Sequence, residues 1–325
     1  MSLKRYFLRR ALFAFPLVFI IITINYILVN LAPGDPVLYI AGTEYVSPEY
    51  LQRLRQEYGL DKPVWERYLV YIYKVIQLDL GYSYRYREPV INVIVERLPA
   101  TLLLMLTSIA WSAILGIVLG IRASIKRGGA IDNISTMLAT LSVSIPTFWL
   151  GIVLIITLGG MLRILPTQGM LSPANIGMKN LSPAIILDIS WHLVLPSITL
   201  GMAYLGIYIR SVKSLLIDEL GKDYILLARA KGLDRSHILW RYAFRTASPS
   251  IIAILGLNIG TMLAGATLTE TVFAWPGMGR LIYESAIARD YPVILGIFIF
   301  ISITVILANL VVDMINALLD PRVRY

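Results

Sequence analysis

Six stretches of this chain are apolar and free of Asp, Glu, Lys and Arg: 11–31, 101–121, 133–162, 193–209, 246–269 and 291–312. Five of them reach the length, about 20 residues, at which a helix crosses some 30 Å of hydrocarbon, and the fourth falls slightly short. Inside lipid a helix satisfies its backbone within one segment. The predicted fold class is therefore an all-α integral membrane protein with six transmembrane helices. Composition agrees: 57% of the 325 residues are hydrophobic, 15% are charged and mean hydropathy is +0.72, which excludes an ordinary soluble enzyme. There is no cysteine, which removes disulfides, thiolate metal sites and a cysteine nucleophile.

Charge is distributed by topology. Lys4, Arg5, Arg9 and Arg10 precede the first run, which is too long for a signal-peptide core and has no small-residue cleavage site behind it. Placing the N terminus inside assigns 17 basic and 7 acidic residues to the inner segments and 12 basic against 13 acidic to the outer ones. This is the positive-inside asymmetry, with both termini cytoplasmic and the protein multi-pass in the cell membrane. The +9 net charge thus follows membrane orientation and does not point to nucleic acid. The chain divides into 1–33, an N terminus with the first span; 34–100, a polar extracytoplasmic insert with a Ser47-capped helix; and 101–325, a five-helix core with a cytoplasmic loop at 212–249. Residues 163–192 read as a loop in which the apolar stretch 181–187 is too brief to cross.

The charged island 223–249 lies between two apolar runs and belongs in water. Asp223 to Lys231 has helix-forming composition and stops at Gly232, which suits the left-handed position after a helix. Asp234 then caps a second helix, in which His237, Arg241 and Arg245 share one face and Ile238, Leu239, Tyr242 and Ala243 form an apolar stripe beside them. Such a segment has two readings: a basic amphipathic loop resting on headgroups, or a docking element for another protein.

Asp223-Tyr224, Ala228-Arg229-Ala230-Lys231-Gly232-Leu233 and the spaced Arg241, Arg245 and Pro249 resemble the cytoplasmic "EAA" loop of ABC-importer permeases. They resemble more narrowly the B-type subunits of the dipeptide/oligopeptide/nickel group, in which Ala-Arg-Ala replaces Glu-Ala-Ala. The similarity runs along the whole chain. Pro33-Gly34-Asp35-Pro36, Tyr58-Gly59-Leu60-Asp61-Lys62-Pro63, Asp79-Leu80-Gly81-Tyr82-Ser83 and Ser142 to Gly151 match the family's segments, as do Glu270 to Gly279, Ala286 to Pro292 and Asp320-Pro321-Arg322-Val323-Arg324. One departure is Leu78, where the family pattern has glycine. The resemblance implies that Asp223, Tyr224, Ala228, Arg229, Ala230, Lys231, Gly232 and Leu233 form the loop that docks on an ATPase subunit, Gly232 setting its turn. It also implies the partners: a second homologous permease, two ABC ATPase subunits that bind ATP and Mg, and an extracytoplasmic solute-binding protein. Glu270, Phe273 and Trp275 read either as an outer gate or as interfacial anchors.

No catalytic set is legible. His192 and His237 fall on opposite sides of the predicted membrane, and the sequence holds neither a phosphate-binding G-x-x-x-x-G-K-[ST] nor H-E-x-x-H. No metal or cofactor is expected in this chain, and the spans carry no buried charge of the kind a proton-coupled carrier uses. Two functions stand: the non-catalytic permease half of an ATP-driven importer, with peptide as the default solute and oligosaccharide or nickel as alternatives; or a stand-alone channel or secondary carrier.

Overall fold

The computed structural model describes residues 3–31, 36–41, 47–177 and 182–319, in helices and loops with no strand among them. The motif residues 33–35 and 320–324 lie outside this set. In chain order the helices are α1 (Leu3–Leu31), α2 (Pro36–Ala41), α3 (Pro48–Glu57), α4 (Val64–Ile76), α5 (Val90–Ile125), α6 (Ala130–Ser144), α7 (Thr147–Leu154), α8 (Pro183–Leu220), α9 (Asp223–Ala230), α10 (Arg235–His237), α11 (Arg245–Val272), α12 (Met278–Ile287) and α13 (Tyr291–Leu319). Wider π turns follow α7 at Ile155–Met161 and α10 at Ile238–Phe244. Among the described residues α5, α8 and 291–311 of α13 are each long and apolar enough to cross a membrane, and α6 with the segment from Thr147 to Met161 adds a fourth span if the bent pair counts as one.

Three boundaries differ from the sequence reading. α5 begins at Val90, not at residue 101, because Val90, Val93 and Ile94 are buried in a core with Met278, Leu281, Val293 and Ile297. α8 begins at Pro183, inside the stretch expected to be loop: Ser182 caps it through Ile185 N and Pro183 occupies its first turn, a favourable start for any helix. The third apolar run is two helices meeting at 100°. A proline-kinked helix is the milder outcome, but Ile145 sits at φ −87°, ψ 121° and Pro146 at φ −60°, ψ 132°. Proline disfavours the helical region for the residue before it, and here two successive extended residues break the helix.

The chain forms two compact units. The first contains Leu102–Trp275 and is assembled on α8. Gly116 and Gly120 lie one turn apart on α5, and a side chain at either would meet Tyr208 Cβ at 2.5 Å or Val212 Cβ at 2.8 Å. Small residues at four-residue spacing allow such close helix approach in lipid, where apolar burial alone gives no drive to associate. α6 approaches α8 in the same way at Gly206, whose added Cβ would run into Ser142 Oγ and stand 2.5 Å from Ala139 O. Asp132 at the start of α6 pairs with Lys213 of α8, and Asp132 also accepts from Gly128 N at 2.9 Å.

The second unit contains Lys4–Thr101 and Pro276–Ile306. Asp290 is fully buried and clamps the loop before α5, accepting from Ser83 Oγ, Tyr84 N at 3.2 Å and Arg85 N at 3.1 Å. Two motifs recognised separately in the sequence, 79–83 and 286–292, are thus halves of one contact. Beside it Glu284 accepts from Tyr86 Oη at 2.9 Å and Arg280 Nε at 2.8 Å. Burial pulls the Glu284 carboxyl upward, but the Tyr86 hydroxyl and the Arg280 and Arg85 guanidiniums outweigh it and hold it below its ordinary value.

A Gly206→Ala substitution should lower the thermal midpoint of the detergent-solubilised chain, by an amount matching about 1–3 kcal/mol of overpacking, because the obstruction includes backbone. Glu284 is depressed in the folded state, so its contribution is complete above the unfolded carboxylate value and is lost as pH falls through the folded one. Cleavage within 82–88 by an acid-stable protease should accelerate only below about pH 4, and in Glu284→Gln, where the Asp290 clamp remains, it should already exceed the unsubstituted rate above that pH.

Candidate functional site: the cytoplasmic loop and the end of α11

α9 has two apolar faces, one packed and one exposed. Ile225 and Ala228 are buried against Ile238, with Leu220, Leu233 and Tyr242 around them. Leu226 and Leu227 point the other way and are 54% and 57% exposed, with Ala230 also exposed between them. The chain reverses at Gly232, φ +75°, where Leu233 N bonds Ala228 O at 3.2 Å and Gly232 N bonds Arg229 O at 2.9 Å. This is a six-to-one closure with glycine at the left-handed position. Nothing stands within 4 Å of a side chain placed there, so the requirement for glycine is conformational and not steric. Asp234 caps the next turn through Ser236 N at 2.8 Å.

That turn does not end as an independent helix. It passes through the π turn at Ile238–Phe244 directly into α11, and Leu239, Ala243 and Ala247 pack with Ile121, Val212 and Leu216. The π turn adds a residue per turn, so the four-residue register expected for His237, Arg241 and Arg245 is loosened. Pro249 lies inside α11 and cannot donate to Arg245 O; Ser248 Oγ takes that carbonyl at 2.9 Å and Thr246 Oγ1 bonds Tyr242 O at 2.8 Å, so the helix continues. Between α5 and this segment lies an open groove of about 1030 Å³ lined by Arg122, Ile125, Leu220, Arg229, Arg235 and Trp240 among others.

The structure places the expected loop residues as follows. Asp223, Tyr224, Arg229, Ala230, Lys231 and Gly232 are exposed, Leu233 is partly buried and Ala228 is buried. Ala228 therefore faces the loop's own core, and its small side chain lets α9 settle on Ile238. Leu226 and Leu227 went unremarked in the sequence although three consecutive apolar residues, Ile225 to Leu227, already imply two faces.

At the far end of α11 Glu270, Phe273 and Trp275 are all enclosed, a position that does not suit anchoring at a lipid interface, where a ring must reach the headgroups. Trp275 N bonds Glu270 O at 2.8 Å and Ala274 N bonds Thr271 O at 3.2 Å, the same closure as at Gly232. Here the left-handed residue is Ala274, φ 50°. Gly169 N, from the loop that follows α7 and its π turn, donates to Phe273 O at 2.8 Å, and Gly151 of α7 lets the Phe273 ring approach to 3.1 Å of where a Cβ would stand. No group of three or more His, Cys, Asp or Glu side chains that could hold a metal ion occurs among the described residues.

Comparison with known proteins covers the whole chain. Residues 112–325 match the family of binding-protein-dependent transport system inner membrane components, and residues 3–105 match the N-terminal region of such membrane components. The dipeptide transport system permease protein DppB of Escherichia coli K12 is 37% identical over 335 residues, spanning 99% of both chains. The glutathione transport system permease protein GsiC of the same strain is 36% identical over 321 residues, 98% of this chain and 99% of its own. A solved structure described as inward-facing conformations of the MetNI methionine ABC transporter aligns at a TM-score of 0.56 with 17% identity, over 71% of this chain and 97% of its own, a likeness of fold.

An Ala274→Gly substitution should raise the thermal midpoint of the solubilised chain, since a left-handed alanine carries a strain on the order of 1 kcal/mol that glycine does not.

Proposed function

The chain belongs to the binding-protein-dependent transport system inner membrane components, and from that premise we propose that it forms half of the translocation pathway of an ATP-driven peptide importer. As a permease subunit it is a multi-pass protein of the cell membrane, and the reading as a stand-alone channel or carrier gives way. Peptide is supported as the solute by two relatives that match end to end and are named for dipeptide and glutathione transport. We place six crossings in this chain with both termini cytoplasmic, on the charge asymmetry of its loops.

The observation that carries the mechanism is the outer face of α9. Leu226, Ala230 and Leu227 present apolar surface to water beside Asp223, Tyr224 and Lys231, on a helix whose other face is already packed. Fully burying one leucine contributes about 1.5–3 kcal/mol, so the pair supplies a compact anchor for a partner's groove. The partner assigned to it is the ATPase subunit, which would supply the ATP and Mg chemistry that this chain lacks. A second homologous permease would complete the pathway, and an extracytoplasmic binding protein would deliver the solute. Gly232 presents the anchor and Ala228 seats it, while Glu270, Phe273 and Trp275 are assigned to the outer closure of the pathway, where their enclosure keeps that end sealed.

Co-expression with the neighbouring genes and purification on a tag in this chain tests the assignment. Leu227→Glu should lose the ATPase while the chain keeps its thermal midpoint, because the side chain is exposed in the free subunit. Gly232→Val should also lose it, whereas Gly232→Asn should retain it, since asparagine tolerates the left-handed region and valine does not. Full ATPase recovery with both Leu227→Glu and Gly232→Val would remove α9 from the interface.

A further inference from the structure

α4 carries an apolar stripe that the importer assignment does not use. Trp65, Leu69, Tyr73 and Ile76 fall within one arc of the helix and are 66%, 58%, 64% and 73% exposed. Glu66 and Lys74 flank Val70 on the other side of the helix, and Gln77 follows its last turn, so that a charged side stands against the apolar stripe. Its remaining apolar side is occupied: Tyr71 stacks on Tyr26 of α1 at a ring distance of 5.1 Å, and the Tyr68 ring packs tilted against it at 5.2 Å.

What covers the stripe is argued from depth. Thr23 Oγ1 and Tyr68 Oη are 2.7 Å apart, and Tyr26 Oη donates to Val64 O at 3.4 Å. Thr23 and Tyr26 precede the end of the apolar run at Leu31 by eight and five residues, or about 12 and 8 Å along a helix. α4 is therefore held beside the last third of a membrane-spanning run and not above it. At that level the surroundings of α1 are apolar, as its own exposed Ile20, Ile24 and Ile27 show. A helix at that depth cannot lie wholly in hydrocarbon either, because it carries Glu66, Arg67 and Lys74. The headgroup boundary satisfies both, with Trp65 and Tyr73 placed as interfacial rings are.

We propose that α4 is a monotopic interfacial helix seated in the outer leaflet, its Trp65–Leu69–Tyr73–Ile76 stripe covered by phospholipid. It gives the extracytoplasmic region between α1 and α5 a second attachment to the bilayer besides the spans that flank it.

The chain has no cysteine, so one introduced cysteine takes a single spin label when the purified chain is labelled before assembly with its partners. In the assembled importer, reconstituted in phosphatidylethanolamine/phosphatidylglycerol vesicles, labels at Leu69→Cys and Tyr73→Cys should collide more with oxygen than with a water-soluble nickel chelate. A label at Gln77→Cys should show the reverse, so that the depth parameter changes sign across the helix. Nickel access at all three positions would mean that the stripe faces water and would overturn the proposal. Immobile spectra with low access to both reagents at Leu69 and Tyr73 would mean that protein, such as the second permease, covers it, and would overturn the proposal equally. ATPase recovery through α9 is read separately in the same preparation, so a failure here leaves the importer assignment standing.

Discussion

Close approach at α8 is the constraint on which the first unit depends. Helices in lipid exchange one apolar neighbour for another when they associate, so packing has to be tight to be worth forming. α8 obtains this from both sides with small residues: Gly116 and Gly120 of α5 against Tyr208 and Val212, and Gly206 against Ala139 and Ser142 of α6. The Asp132–Lys213 pair then fixes the end of the α6 contact. α7 begins only after the Ile145-Pro146 break has turned the chain by 100°, and it too meets its neighbours through a glycine, Gly151. The apolar runs provide insertion into the membrane, and the small residues decide which faces meet.

Reversals obey a second rule. At Gly59, Leu78, Arg163, Gly232, Ala274 and Arg289 the chain leaves a helix through a left-handed residue; in five of them the following N–H reaches back to the carbonyl five residues before it, and after the π turn Ile164 N reaches back six, to Leu158 O. This satisfies the helix's last carbonyls without water. Two of the six use glycine. Leu78, at φ 62°, is informative because a residue with a Cβ takes the left-handed conformation there and carries its strain. Arg289 shows why strain is tolerated, since its conformation delivers the next residue, Asp290, into the clamp on Ser83, Tyr84 and Arg85.

Long uncharged runs, the Ser47 cap, the Gly232 turn and the Asp234 cap were legible in the sequence because each rests on a local rule. What was not legible depended on partners distant in the chain. The early start of α5 follows from burial of Val90 and Ile94 under α12 and α13, and the passage of α11 across Pro249 follows from the Ser248 hydroxyl that takes the carbonyl orphaned there. The inward aim of Ala228 needed the position of Ile238. The enclosure of Glu270 and Trp275 needed the fold around the end of α11, since composition alone suits an aromatic residue to an interface equally well.

The loop and the end of α11 belong to one mechanical element. Ile225 and Ala228 fasten α9 to Ile238, and from Arg235 the backbone stays helical, through a π turn and past Pro249, to Val272. Between α9 and the residue preceding Phe273 lie the Gly232 reversal, which the packing of Ile225 and Ala228 on Ile238 spans, and the two weakened turns at Ile238–Phe244 and Pro249. The first break in conformation is Ala274, and it is strained, held by Trp275 N on Glu270 O and by Gly169 N on Phe273 O. The strained turn therefore stands at the far end of the helix, where Phe273 and Trp275 are enclosed, and a left-handed alanine is held only where its surroundings over-determine it. Subunits that push on α9 would act, through its side-chain seat on Ile238 and then along this helix, on the two aromatic side chains that we assign to the outer closure.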